Sequence, residues 1–250
     1  MKETTAARWG LSGSTLKLLG CLFMLLDHIG HHLFPTVSWL RIVGRLAMPI
    51  FAYFIAEGCR YTRNKAKHFL LIFLSGMIFY VGAGWIGGEW YYNIFLTFSV
   101  SIVYIYLWQY LLCCITSREE GQRRRAALYL PLFLVALAAA YVLFFYMPLE
   151  YGFYTMLLPV VLSMTHLRPY VKAERLCRLD HPYVRLLLTG ILLVLVSFSL
   201  DNPIQYFCLL ALPLLFLYNG KPGVRRLKYV FYVFYPAHVG LILLVKLLFF

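Results

Sequence analysis

Asp27, His28, His31 and His32 lie within one long apolar stretch of the chain, Arg41, Arg45 and Glu57 within the next, and His238 within the last. An ionisable side chain in hydrocarbon costs about 2.5–3.5 kcal/mol on insertion scales, so such groups turn to a protein interior and mark sites or pathways. Asp27 and His31 are four residues apart, as are His28 and His32, so on a helix two polar pairs stack along one broad face. At about 1.5 Å per residue, Asp27 and His28 fall roughly 17 Å into their helix and His238 roughly 14 Å into its own. Both depths are near mid-membrane, and Arg45, entering from the opposite side, approaches the same level. The chemistry that imidazole beside carboxylate supports in such a place is proton abstraction from a nucleophile, because histidine changes charge nearest neutral pH. His28 and His238 are the candidate bases, with Asp27 assisting and Arg45 or His238 stabilising a developing oxyanion.

Two readings of Asp27 stay open. Neighbouring helical residues point about 100° apart, so Asp27 is placed as well to hold Arg45 or His31 as to orient His28. An Asp27–Arg45 pair that only fixes helix packing is the bland alternative. Likewise Glu57 is three residues from Arg60 and pairs with it in the simplest case, while His31 and His32 sit toward the outer end of their helix. No Gly-x-Ser-x-Gly elbow, paired Cys/His signature or phosphate-binding glycine loop occurs, so neither a covalent intermediate nor nucleotide hydrolysis is suggested. Cys113 and Cys114 lack partner spacing for zinc, and no metal is expected.

The elements that must carry these residues are membrane helices. Of 250 residues, 62% are hydrophobic and 13% charged, and the mean hydropathy is +0.75, whereas soluble domains carry about a quarter of their residues charged. Apolar segments cover residues 16–34, 40–59, 69–86, 94–115, 128–147, 152–167, 184–200, 204–218 and 229–249. Their runs are continuous rather than alternating, and backbone in lipid must satisfy its own hydrogen bonds, so each reads as a helix. The expected fold is all-α, a polytopic integral membrane bundle of about nine transmembrane helices, and at roughly 20 residues per crossing it uses residues 1–250 as one domain. Pro49, Pro159, Pro213 and Pro236 fall inside spans and predict kinks.

Charge orients the bundle. Arg60, Arg63, Lys65 and Lys67, then Arg118 to Arg125, then Arg168 to Arg178, then Lys221 to Lys228 mark alternate connections, while those between hold Glu89, Glu150 and Asp201. The positive-inside rule then makes the N-terminus cytoplasmic and the C-terminus external, in a plasma membrane. The net charge of +13 is accounted for by topology and anionic membrane lipid, so nucleic acid is not an expected partner. The string Leu18-Leu19-Gly20-Cys21 resembles a lipoprotein cleavage box, but the residues before it are polar, so the first span is expected to be retained. None of the six cysteines falls in an expected external loop, and no disulfide framework is implied.

The strings LLGCLFMLLDHIG from Leu18 to Gly30 and LRIVGRLAMPIFAYFIAEG from Leu40 to Gly58, with Tyr61-Thr62-Arg63-Asn64 after them, closely resemble the TraX family. So do Asn93 to Thr97, Glu150-Tyr151-Gly152, Tyr218-Asn219-Gly220-Lys221 and Tyr235-Pro236-Ala237-His238, in the same order along the chain. That family is known for acetylating the pilin of conjugative pili. The resemblance implies a membrane-embedded acyltransferase that moves acetyl from cytoplasmic acetyl-CoA to a hydroxyl or amine acceptor, whether pilin, glycan or another envelope molecule. In this reading Arg60, Arg63, Asn64, Lys221 and Arg225 hold coenzyme A, arginine matching phosphate oxygens in pairs. His28, Asp27, Arg45 and His238 form the catalytic group, and His31, Glu57 and Asn93 meet the acceptor. The other function class these residues suit is a proton-coupled small-molecule transporter.

Overall fold

The computed structural model describes residues 10–87, 93–146, 149–170, 177–224 and 227–249. Every regular element among them is helical, and the one β contact is an isolated parallel bridge between Leu11 and Tyr218. The helices are α1 (Gly13–His32), α2 (Ser38–Gly44), α3 (Ala47–Tyr61), α4 (Lys65–Gly87), α5 (Ile94–Thr116), α6 (Glu120–Tyr146), α7 (Gly152–Met164) and α8 (Pro182–Ser199). A 3-10 turn (Pro203–Leu210), the short α9 (Ala211–Phe216) and α10 (Lys228–Phe249) complete them.

Local chemistry explains the starts. Ser12 caps α1 by accepting the Thr15 N–H at 3.2 Å, and Asn64 accepts the Lys67 N–H at 2.8 Å as α4 begins. Pro182 opens α8 where its missing N–H costs nothing. The apolar stretch at 40–59, expected as one span, is instead broken between α2 and α3 at Arg45 and Leu46. Pro49 has no N–H for the carbonyl of Arg45 four residues back, so the ladder is interrupted there, and Pro49 fits the first turn of the new helix. The segment at 204–218 likewise divides into the 3-10 turn and α9 rather than forming one α-helix.

Five helices among the described residues are long and apolar enough to cross a bilayer: the broken Ser38–Tyr61 pair, Lys65–Gly82, Ile94–Thr116, Glu120–Tyr146 and Pro182–Ser199. Three apolar helices are shorter, at Gly152–Met164, Pro203–Phe216 and Val233–Phe249. α1 belongs to neither group, although it has 20 residues, because Lys17, Asp27, His28, His31 and His32 interrupt its apolar run. Exposed leucine, valine and isoleucine side chains cover α4 and α6, among them Leu74, Ile78, Leu128, Leu132 and Val135. Water rejects a surface of that extent and lipid accepts it, so the chain is a helical membrane protein.

The chain divides into two compact units, residues 1–51 with 204–250, and residues 52–203. In the first, α1 packs against α2 and α10. The approach of α1 and α2 is close because glycines leave room: a Cβ on Gly30 would lie 2.8 Å from Leu40 Cβ, and one on Gly44 would lie 2.6 Å from the Asp27 Cα. In the second unit, α5 is the centre, flanked by α4, α6 and α7, and α7 also packs on α8. Within it the buried Ser101 hydroxyl donates to the Met156 carbonyl at 2.8 Å.

Candidate functional site

In the first unit the carboxylate of Asp27 is buried under two guanidinium groups. Arg45 Nη2 donates to its two oxygens at 2.6 and 2.7 Å, and Arg41 Nη1 donates to Oδ2 at 3.0 Å. Arg45 Nη1 also donates to Gln205 Oε1 at 3.1 Å, which ties the cluster to the 3-10 turn. Arg45 stands at the helix break, its side chain only 7% exposed. Two cations and one anion leave the cluster with a surplus positive charge. Asp27 therefore holds arginine and does not orient His28, which decides between the two readings that the sequence left open.

His28 is oriented by backbone and by His238. Its Nδ1 lies 2.8 Å from the Met24 carbonyl oxygen, one helical turn back, and that oxygen only accepts, so Nδ1 carries the proton. His238 repeats the arrangement, with Nδ1 at 2.7 Å from the Phe234 carbonyl. The remaining lone pair of His238, on Nε2, then faces the His28 Nδ1–H at 3.3 Å, and the two rings meet edge to face at 4.9 Å. Of this pair, the lone pair without a partner among the described residues is that of His28 Nε2. Tyr235 packs edge-on to both rings, and His32 stacks on His28 at 6.1 Å. His31 is exposed and meets His32 at 4.7 Å rather than Asp27.

The second unit holds a separate polar cluster. Asp180 accepts from His166 Nδ1 at 2.9 Å and from Arg185 Nη2, and Arg185 Nη1 donates to Glu57 at 3.1 Å. Arg60 Nη1 stands 3.7 Å from Glu57 and 3.9 Å from Asp180. Burial by itself would raise the Asp180 carboxyl, but the His166 hydrogen bond and the Arg185 and Arg60 charges outweigh it and hold the group down at about 2. Glu57 is thus shared between two arginines rather than belonging to Arg60 alone.

The other expected site residues are placed as follows. Asn93 is 1% exposed; its Oδ1 accepts the Phe95 N–H and its Nδ2 donates to the Gly76 carbonyl, so it caps α5 and seats it on α4. Beside it, Glu150 accepts the Ile94 N–H at 2.7 Å, which gives the Glu150-Tyr151-Gly152 string a packing role. Asn64 caps α4, and Arg63 is exposed. Lys221 is exposed, and its carbonyl accepts the Gly13 N–H while Asn219 bonds Gly10 and Leu11. The loop after α9 is therefore clasped to the start of α1, with Gly223 at φ +75 where a Cβ would strike the Ser14 hydroxyl. Arg225 lies outside the described residues. Gln205, His166, Asp180 and Arg185 were not singled out in the sequence. Arg185, a cation at the start of an apolar span, carried the usable signal.

Among the described residues, no group of three or more His, Cys, Asp or Glu side chains is arranged to hold a metal ion. Fold and site together define a helical membrane protein with a histidine pair, His238 buried and His28 half-buried, beside an arginine–aspartate cluster. The chain belongs to the TraX family: the profile of the TraX protein matches residues 12–246. It is 29% identical over 244 residues to the probable fimbrial assembly protein FimC, serogroup H1, of Dichelobacter nodosus, a match covering 94% of this chain and 96% of that one. An uncharacterized protein of Rickettsia prowazekii (strain Madrid E) is 49% identical over 39 residues, 16% of each chain. No solved structure matches the chain.

Proposed function

We propose that the protein is a membrane-embedded acetyltransferase that moves acetyl from cytoplasmic acetyl-CoA to an amine or hydroxyl of an envelope acceptor. The observation that carries this is the His28 ring: Nδ1 is held by the Met24 carbonyl and faces His238, and Nε2 is left as an unengaged base. Family membership and the fimbrial assembly relative favour a pilin subunit as the acceptor. His28 Nε2 removes the acceptor proton as nitrogen or oxygen attacks the thioester carbon. The carbon–sulfur bond then breaks, and the thiolate of coenzyme A leaves and takes up a proton. Arg41 and Arg45 exceed Asp27 by one charge, which favours the oxyanion that forms in between. His238 is the positioning residue, its lone pair spent on His28.

In the membrane we read nine crossings, with the N-terminus cytoplasmic and the C-terminus external. That count requires α1 and the three shorter apolar helices to cross as well. Arg63 and Lys221, both exposed in connections assigned to the cytoplasm, are the residues proposed to steer coenzyme A phosphates.

The test is direct. Purified protein in nanodiscs, given acetyl-CoA with a labelled acetyl group and an extract containing pilin, should transfer the label to a protein or envelope molecule identified by mass spectrometry. The break at Arg45, beside buried charge, also suits a proton-coupled transporter. Proteoliposomes that accumulate an intact solute and leave no acetylated product would replace the first reading by that one.

A further inference from the structure

Glu57, Arg60, Ser163, His166 and Arg185, with Tyr53, line a small, partly open crevice in the second unit. Two of the donors around it are not fully met. Arg60 approaches the two carboxylates only at 3.7 and 3.9 Å, beyond hydrogen-bond length, and otherwise lies over the Tyr61 ring. Nε of Arg185 is buried without a partner among the described residues, in a side chain 11% exposed. A buried N–H left unmet costs about 1–3 kcal/mol, so a group that supplies oxygens here gains what the protein forgoes.

We propose that this crevice binds a phosphate monoester, its oxygens meeting Arg60 and the Arg185 Nε–H and its remaining P–OH donating to His166 Nε2. The geometry of His166 selects the monoester. Its Nδ1–H is committed to Asp180, an acid held ionised at about 2 by its neighbours, so Nε2 presents a lone pair. A carboxylate would set lone pair against lone pair, and a phosphodiester has no proton to give. A phosphate monoester, whose second ionisation lies near pH 6, keeps one readily. Glu57 and Asp180 balance Arg60 and Arg185 in charge, so the crevice as a whole is neutral and favours a singly charged, still protonated phosphate over a dianion. Apart from its longer-range attraction to Glu57 and Asp180, Arg60 caps no helix and closes no hydrogen bond among the described residues.

Two sources carry this chemistry, the 3′-phosphate of a soluble cofactor such as coenzyme A and the headgroup of phosphatidic acid. The site does not depend on acetyl transfer and can hold if that reading fails.

Binding of radiolabelled inorganic phosphate to the whole protein, solubilised in a phosphate-free detergent, is measured by equilibrium dialysis. Saturable binding is expected, weakened ten- to hundredfold in Arg60→Gln and in His166→Ala, with acetate at least tenfold weaker than phosphate as a competitor. Arg60→Gln is the primary variant because Arg60 closes no hydrogen bond, whereas loss of Arg185 strands Glu57 and Asp180. Competition by coenzyme A but not by dephospho-coenzyme A supports the proposal with a soluble ligand. Competition by phosphatidic acid nanodiscs but not by phosphatidylcholine nanodiscs supports it with a lipid. Absence of phosphate binding to folded protein, wild-type affinity in Arg60→Gln, equal competition by acetate, or displacement by neither monoester overturns it.

Discussion

Asp27→Ala is the substitution whose consequence follows most directly from the structure. The carboxylate accepts N–H···O bonds of 2.6, 2.7 and 3.0 Å from two guanidinium groups. Arg45 has a side chain 7% exposed, so removing the anion leaves a cation that water cannot reach. Breaking such a pair from one side costs about 3–5 kcal/mol, most of it the penalty of the stranded charge. At roughly 2–4 °C per kcal/mol for a chain of this size, the melting temperature should fall by on the order of 10 °C. Asp27→Asn keeps one acceptor oxygen while giving up the charge and the second acceptor, so its loss should be smaller than that of the alanine variant. Removing the stranded cation too, in Asp27→Ala with Arg45→Met, should recover a good part of the stability, since Arg41 is 24% exposed and can be hydrated. The assay is thermal unfolding in one detergent, followed by loss of the monodisperse peak in size-exclusion chromatography. A single variant melting within about 2 °C of wild type, or a double variant no more stable than the single, would refute the argument that Asp27 exists to neutralise Arg45.

The remaining predictions concern packing, catalysis, topology and acid stability. Gly44→Ala should lose expression of folded protein, because its Cβ would stand 2.6 Å from the Asp27 Cα; a well-folded Gly44→Ala in chromatography would contradict the close approach of α1 and α2. His28→Ala should lower turnover by about 10²–10⁴ at unchanged coenzyme A affinity, the usual contribution of a general base. His238→Gln, which removes a positioning contact, should retain more activity, and the reverse order of the two would reassign the base. With the native cysteines removed, single cysteines next to Glu150 and Asp201 should react with an impermeant thiol reagent on intact cells and one next to Arg124 should not; the opposite labelling inverts the topology. Asp180 is held at about 2 against an ordinary value of 3.8. Its stabilising effect, about 2 kcal/mol at most, is therefore complete above pH 4 and lost as pH falls toward 2. Asp180→Asn should be less stable than wild type near pH 6 and flatten this acid step in melting temperature.

Composition and the lengths of apolar runs determine that the chain is helical and lies in a membrane, because the cost of unpaired backbone in lipid leaves few other solutions. The i, i+4 spacing that puts His28 and His32 on one face is likewise local, and the stacked rings follow it. The sequence also marked Asp27, Arg45, His28 and His238 as costly where they stand, since the penalty for a charge in hydrocarbon depends on residue type and depth alone. Which of them touch is a different matter. Asp27 takes Arg45 and Arg41, and His28 meets His238 from 210 positions away, because helix packing, admitted by Gly30 and Gly44, selects one partner from several that spacing allows. The break at Arg45 was present in the sequence as Pro49, but only the packed structure shows the chain parting there and the Arg45 side chain reaching Gln205. Asp180, Arg185 and His166 come from a loop, the start of one helix and the residues just after the end of another. No period links them, and only the folding of residues 52–203 brings them together around Glu57, because their attraction acts through space and not along the chain.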